Sequence, residues 1–248
     1  MITSKDNSHV KELKKLQQKR FRLRTGKFAA EGEDLVAAAL SAGWQPETVF
    51  CAPDATAQFA EHERALIVDY DLLAGACALG SGARVVGVFS YPEHAPTKQG
   101  DLTLFAPGVG DPGNVGTIIR SAAAFTDSPV CFANESADPY SPKALRAAMG
   151  TTFTHPPRTD SPLAELSGTV VALDASGSKD VGQLELASPI VLAVGSERDG
   201  LGGELLAAAD VVARVPMRAG GPESLNVAMA ATIALYELSK GINQESTK

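Results

Sequence analysis

Three clusters of polar residues, each placed just after an apolar run, carry the groups in this chain that are equipped for chemistry. The first is Asn114-Val-Gly-Thr-Ile-Ile-Arg120, beyond the run Leu102–Ala106; the second is Gly195-Ser-Glu197, beyond Ile190–Val194. The third begins at Val215-Pro-Met217, beyond the run starting at Val211, and ends in Ser224-Leu-Asn226-Val. Among their groups are the guanidinium of Arg120, the carboxylate of Glu197, the carboxamides of Asn114 and Asn226 and the hydroxyl of Ser224. Ligands of open parallel sheets bind beyond the carboxyl ends of the strands, so three such loops can define one site. Each residue also has a plain structural reading. Asn114 and Ser224 are good helix caps, Glu197 can cap a turn, and Arg120 can be a surface charge.

Gly108-Val-Gly110-Asp-Pro-Gly113 matches G-x-G-x-x-G after an expected strand and before an expected helix, with Glu135 near the end of the next strand. That is the layout of a dinucleotide site. Pro112 weighs against it, because it removes one of the N–H groups that would face a pyrophosphate. The reading also leaves the glycine-rich stretches near 195–203 and 218–222 without a role.

The elements that must position these loops follow from hydropathy. Short β-branched runs alternate with helical patterns, which predicts an α/β protein built on parallel strands. Helices are expected over 8–20, 32–42, 54–62 and 71–79, with strands at Thr48–Ala52, Ala65–Asp69 and Arg84–Phe89. The stretch 90–100, with two prolines and no periodicity, predicts a linker, and hence a small domain over 1–95 and a second over 96–248. In the second, strands are expected at Leu102–Ala106, Pro129–Ala133, Val170–Asp174, Ile190–Val194 and Val211–Val215. Helices are expected at 114–125, 142–149 and 224–240. Continuous apolar strands of this kind are those covered by helices on both faces.

Composition bounds the partners. The 248 residues are 44% hydrophobic and 21% charged, with no apolar run long enough to span a membrane and no apolar leader at the N-terminus. Cys51, Cys77 and Cys131 lack metal-ligand spacing and read as reduced core residues of a cytoplasmic protein, so no metal is expected. His9, His62, His94 and His155 fit no catalytic pattern and read as loop or helix-surface residues. The net charge of -7 argues against a nucleic-acid partner, but its distribution reverses that. Residues 1–30 hold nine Lys/Arg against two acids, leaving 13 basic and 27 acidic residues for the rest. A basic arm of this kind, including Lys14, Lys15, Arg22 and Arg24, is the footprint of a phosphate backbone, although it confers no sequence discrimination.

In combination, the three loops resemble the signature motifs of the SpoU (TrmH-like) RNA ribose 2'-O-methyltransferases of the SPOUT superfamily. The stretch from Ile2-Thr-Ser to Glu31-Gly32 and Leu35 looks like the substrate-recognition domain that precedes many members. Two departures stand out: Arg198, where members more often have glycine, and the Gly220-Gly221-Pro222 approach to the third motif. The resemblance implies a small N-terminal α/β domain like those of ribosomal proteins, before a catalytic α/β domain with a parallel sheet and a deep trefoil knot. It implies S-adenosylmethionine (AdoMet) as cofactor, a homodimer, and RNA as substrate, ribosomal in preference to transfer RNA. A transfer-RNA enzyme and a non-catalytic RNA-binding protein that kept the fold are the alternatives. By the same resemblance Arg120 is the catalytic group, as base or as a phosphate clamp, with Asn114, Glu197, Ser224 and Asn226 around it. Gly195, Val215, Met217 and Leu225 would hold the cofactor.

Overall fold

A computed structural model describes residues 1–78, 82–93, 99–133 and 135–245. The chain divides into two compact units, one of residues 1–94 with 138–154 and one of residues 95–137 with 155–248. The expected boundary at 95/96, His94 and the end of the helix expected over 71–79 fall outside the described residues.

The first unit begins with α1 (Ser8–Lys15), α2 (Lys19–Thr25), β1 (Lys27–Glu31), α3 (Glu33–Ser41), β2 (Thr48–Cys51), α4 (Ala57–Ala60), β3 (Ala65–Ile67), α5 (Tyr70–Ala76) and β4 (Val85–Ser90). Its sheet has the order β1-β4-β2-β3 and is mixed: β4 runs antiparallel to β1 and β2, and β2 parallel to β3. Strand β1 was not expected. Lys27-Phe-Ala-Ala-Glu31 has little strand propensity of its own, and pairing with β4 together with complete burial of Phe28 holds it in place.

The helix expected over 8–20 is two helices, and the break has a cause. Val10, Leu13 and Leu16 are buried as their spacing predicts. The carbonyls of Leu16 and Gln17, however, accept from Arg22 Nη1 at 2.9 and 3.0 Å, so a side chain takes up groups at the helix end. Arg22 is 3% exposed, and its Nε and Nη2 donate to Asp138 Oδ2 at 2.7 and 2.6 Å. Tyr91 donates to the same oxygen at 3.0 Å, and the Tyr140 N–H donates to Asp138 Oδ1 at 2.9 Å. This corrects the expectation that Arg22 contacts RNA: its guanidinium is buried and fully engaged. Lys14, Lys15 and Arg24 are exposed, with the Lys15 and Arg24 cations 5.8 and 4.9 Å from the Phe21 ring centre.

The second unit begins with β5 (Leu102–Ala106), α6 (Pro112–Phe125) and β6 (Cys131–Phe132). The chain then gives α7 (Pro142–Ala148) and α8 (Thr151–Thr154) to the first unit. There Tyr140 and Phe153 join Phe28, Trp44, Phe89 and Tyr91 in an aromatic cluster, and Trp44 Nε1 donates to the Phe153 carbonyl at 2.9 Å. The second unit is completed by β7 (Thr169–Leu173), β8 (Lys179–Asp180), β9 (Ile190–Val194), α9 (Gly203–Ala208), β10 (Val211–Arg214) and α10 (Val227–Glu245). Its six strands are all parallel, in the order β6-β5-β9-β7-β10-β8. Strands β5 and β9 are buried along their whole length, as continuous apolar runs require.

Helices α6 and α10 lie side by side. Ser121 and Thr232 share a hydroxyl hydrogen bond of 2.7 Å, and Phe125 meets Tyr236 edge-on at 5.8 Å. Burial pushes the thiols of Cys51 and Cys131 up to about 11 and that of Cys77 up to about 12, so all three stay protonated at neutral pH. Among the described residues, no helix is long and apolar enough to cross a membrane, and no cluster of His, Cys, Asp or Glu could hold a metal.

The Arg22–Asp138 pair yields a first prediction. Asp138→Ala leaves a buried guanidinium without its carboxylate and should destabilise the protein by about 3–5 kcal/mol. Urea denaturation of the variant against wild type measures it, and a midpoint unchanged from wild type would refute the assignment.

Candidate active site

A parallel sheet presents all its carboxyl ends on one edge, where ligands of such folds bind. The three polar loops leave β5, β9 and β10 at that edge. Asp111, not Asn114, caps α6: its Oδ1 accepts from the N–H groups of Gly113 and Asn114 at 2.7 and 3.2 Å. Asn114 is thereby left to link the loops. Its Nδ2 donates to Glu197 Oε1 at 2.7 Å, and its Oδ1 accepts from Asn226 Nδ2 at 3.0 Å.

Glu197 faces the loop after β5. Its Oε2 accepts from the Gly110 N–H at 2.9 Å, and Oε1 also accepts from the Asp111 N–H at 3.1 Å. Burial works to raise this carboxyl. The hydrogen bonds from Asn114 and from the backbone of Gly110, Glu197 and Asp111 outweigh it and hold the group below its ordinary 4.5. Glu197 is therefore ionised at neutral pH, with both oxygens engaged.

Asn226, rather than the expected Ser224, caps the last helix. Its Oδ1 accepts from the N–H groups of Ala228 and Met229 at 2.9 and 3.3 Å, so α10 begins at Val227. One carboxamide thus serves two ends, capping α10 with its oxygen and reaching Asn114 with its nitrogen. The positive ends of α6 and α10 converge on this network.

Beside it lies a cavity of about 450 Å³, within the range of roughly 300–1,000 Å³ usual for small-molecule sites. Gly195, Glu197, Val215, Met217, Ser224, Leu225 and Asn226 all line it. The wall from 195 to 200 is a tight reversal in which the Ser196 N–H donates to the Gly200 carbonyl at 2.9 Å and the Gly200 N–H returns to Ser196 at 3.2 Å. A Cβ on Gly195 would come within 2.0 Å of the Gly200 carbonyl carbon, so only glycine fits there.

The structure adds lining residues the sequence reading passed over: Leu173, Asp174 and Ala175 at the end of β7. Asp174 Oδ1 accepts from the Ser176 N–H and hydroxyl at 2.9 and 2.6 Å, while Oδ2 has no partner among the described residues. The strand-end rule that found the other loops also applies to Leu173-Asp-Ala-Ser. This one escaped because it carries few glycines and sits in no motif.

Arg120 is not brought into the cavity. It is six residues beyond Asn114 on α6, roughly 240° around the helix, exposed, and without an ion pair or hydrogen bond among the described residues.

The sequence profile of the SpoU rRNA Methylase family matches residues 101–236, and that of the MRM3-like substrate binding domain matches residues 7–79. The 23S rRNA (guanosine(2553)-2'-O)-methyltransferase RlmP of Bacillus subtilis is 31% identical over 250 residues, which cover 96% of this chain and 98% of that protein. Among solved structures, the AdoMet-bound rRNA methyltransferase of Sinorhizobium meliloti superposes with a TM-score of 0.85 at 32% identity, over 96% of this chain and 97% of that one. The SpoU methyltransferase AviRb of Streptomyces viridochromogenes, solved with AdoMet, superposes with a TM-score of 0.85 at 26% identity, over 96% and 98%. With loops, sheet and profile in agreement over more than half its length, the chain belongs to the SpoU rRNA Methylase family.

Proposed function

We propose that this protein is an AdoMet-dependent RNA methyltransferase that modifies a ribose 2'-hydroxyl of large-subunit (23S) ribosomal RNA. The observation that carries the reading is the joining of all three motif loops, through Glu197, Asn114 and Asn226, beside one cavity. The relatives named for 2'-O-methylation of 23S rRNA and for AdoMet binding cover nearly the whole chain. The cavity suits that cofactor. Val194, Val215, Met217, Leu225 and Val227 supply apolar walls for a purine and a thioether, and the free Oδ2 of Asp174 suits an ammonium group. When bound, AdoMet supplies a methyl group already activated by a sulfonium, whose departure as a neutral thioether needs no Lewis acid.

What remains for the protein is alignment and charge. Glu197 is a positioning residue: it fixes the loop after β5 and holds Asn114 toward the cavity edge. Ser224 and Asn226 place a hydroxyl and a carboxamide where a ribose can be oriented. Arg120 is assigned the contact with the RNA. A guanidinium offers a planar fork of donors and no acceptor, so it holds the phosphate and orients the 2'-hydroxyl. The 2'-oxygen bonds the methyl carbon as the carbon–sulfur bond breaks, and the hydroxyl proton leaves to solvent. Mapping 2'-O-methyl sites in ribosomal RNA with and without the protein tests the function. Arg120→Ala should lower methyl transfer by roughly 100-fold through lost alignment of the ribose, while calorimetry shows AdoMet affinity unchanged. Near-normal turnover at saturating RNA would remove Arg120 from the mechanism.

The active form is proposed to be a homodimer. Met229, Ile233 and Tyr236 form an exposed apolar stripe along α10, at the i, i+4, i+7 spacing of one helix face. Arg120 lies on the neighbouring α6, beside the Ser121–Thr232 contact, so a second copy seated on the stripe would close over the Arg120 region. Ile233→Asp with Tyr236→Asp should convert a dimer to a monomer in sedimentation equilibrium. An unchanged mass would place any interface elsewhere.

The basic arm is proposed to grip RNA through Lys14, Lys15 and Arg24, which point to solvent, and not through the buried Arg22. Replacing the three by alanine should flatten the dependence of log affinity on log salt by roughly 2–3 if each touches one phosphate. Titrations with protein-free ribosomal RNA measure this, and equal slopes would make the arm a solvated helix face.

A further inference from the structure

Beyond residue 30 the chain has 27 acidic residues against 13 basic ones, yet a polyanion must reach the cavity at the sheet edge. The second unit contains five arginines, and two of them are neutralised. Arg158 pairs with Glu165 at 3.0 Å, and Arg214 with Asp180 at 2.9 Å. The side chains of Arg120, Arg198 and Arg218 have no ion pair or hydrogen bond among the described residues. One of these three sits in each of the three polar loops or the helix it opens. Where acids outnumber bases two to one, a guanidinium without a carboxylate reflects its placement, not a shortage of partners.

Arg198 lines the 450 Å³ cavity. Arg218 lines a second cavity of about 400 Å³, which shares Ala175, Val215 and Met217 with the first. The segment presenting Arg218 is a defined turn. The Gly221 N–H donates to the Arg218 carbonyl at 3.2 Å, and Gly220 sits at φ +71°, in the left-handed region that favours glycine. A Cβ on Gly221 would lie 3.1 Å from that carbonyl and 3.6 Å from Arg218 Cγ, so the small residue leaves the arginine room beside its own turn. Arg198 is itself one of the two departures from the family pattern noted in the sequence, and Arg218 shortly precedes the other, Gly220-Gly221-Pro222.

We propose that Arg198 and Arg218 form an RNA-backbone clamp at the adjoining cavities, holding phosphodiesters that flank the target ribose. The planar fork of arginine suits bidentate phosphate contact. Placing two such forks where the lining is shared orients the substrate at the reacting edge, a task that the affinity of the basic arm alone does not perform. The inference rests on the methyltransferase reading, because it takes the first cavity as the cofactor site.

The test is a salt titration of affinity for protein-free ribosomal RNA, using wild type, Arg218→Ala, Arg218→Lys and the Arg198→Ala, Arg218→Ala double variant. With one phosphate per arginine, the double variant's slope of log affinity against log salt should be shallower by roughly 1.4–1.8. Arg218→Ala should account for about half of that, and Arg218→Lys should keep most of the wild-type slope because its charge remains. Arg218 does not line the first cavity, so Arg218→Ala should bind AdoMet as wild type does in calorimetry. A double-variant slope equal to wild type would overturn the clamp. Wild type that neither binds AdoMet nor transfers methyl groups would overturn the methyltransferase reading instead, and the slopes would still report whether these arginines hold RNA.

Discussion

Glu197 and Asn114 together are the joint on which the candidate site depends. A carboxylate at a strand end would ordinarily be solvated and mobile. Here its two oxygens receive two backbone N–H groups of the loop after β5 and the Asn114 carboxamide. Charge-assisted bonds of this kind are stronger than neutral ones. Their cumulative effect shows in the carboxyl being held below its ordinary range despite the opposing effect of burial. The far side of Asn114 then receives Asn226, so loops more than 80 residues apart in sequence share one hydrogen-bonded chain.

That chain succeeds only because other residues release its members. Asp111 takes over the capping of α6, which frees the Asn114 side chain. Asn226 caps α10 with its oxygen and keeps its amide nitrogen for Asn114. The close reversal from Gly195 to Gly200 sets where Glu197 leaves β9, and it tolerates no side chain at 195. The capping, the turn geometry and the polar network are thus mutually consistent, as expected of a preorganised site.

Charge is divided between the two units. The first exposes Lys14, Lys15 and Arg24 near its N-terminus while burying Arg22 against Asp138. The second holds 16 acidic residues against nine basic ones and, among the described residues, leaves the side chains of Arg120, Arg198 and Arg218 without an ion pair. An acidic surface disfavours nonspecific RNA contact. Against that background, Arg120, Arg198 and Arg218 supply positive charge in the loops around the cavity and on α6.

Much of this was legible in the sequence. Continuous apolar runs marked β5 and β9 to the residue, because strands buried on both faces leave a local signature. The three motif loops were visible because their glycines and polar residues are contiguous. The positive arm could be counted. Other features were decided by tertiary contact alone. Strand β1 exists because β4 pairs with it, and Arg22 is a buried structural cation because Asp138, 116 residues away, returns to the first unit. Nothing local distinguishes Arg22 from its exposed neighbours Arg20 and Arg24. Which asparagine caps a helix and which spans two loops is likewise beyond local reading, since both roles use the same carboxamide. Composition and periodicity record what a segment buries. Only the folded chain determines which distant group each polar atom meets, because hydrogen bonds are short-ranged and directional.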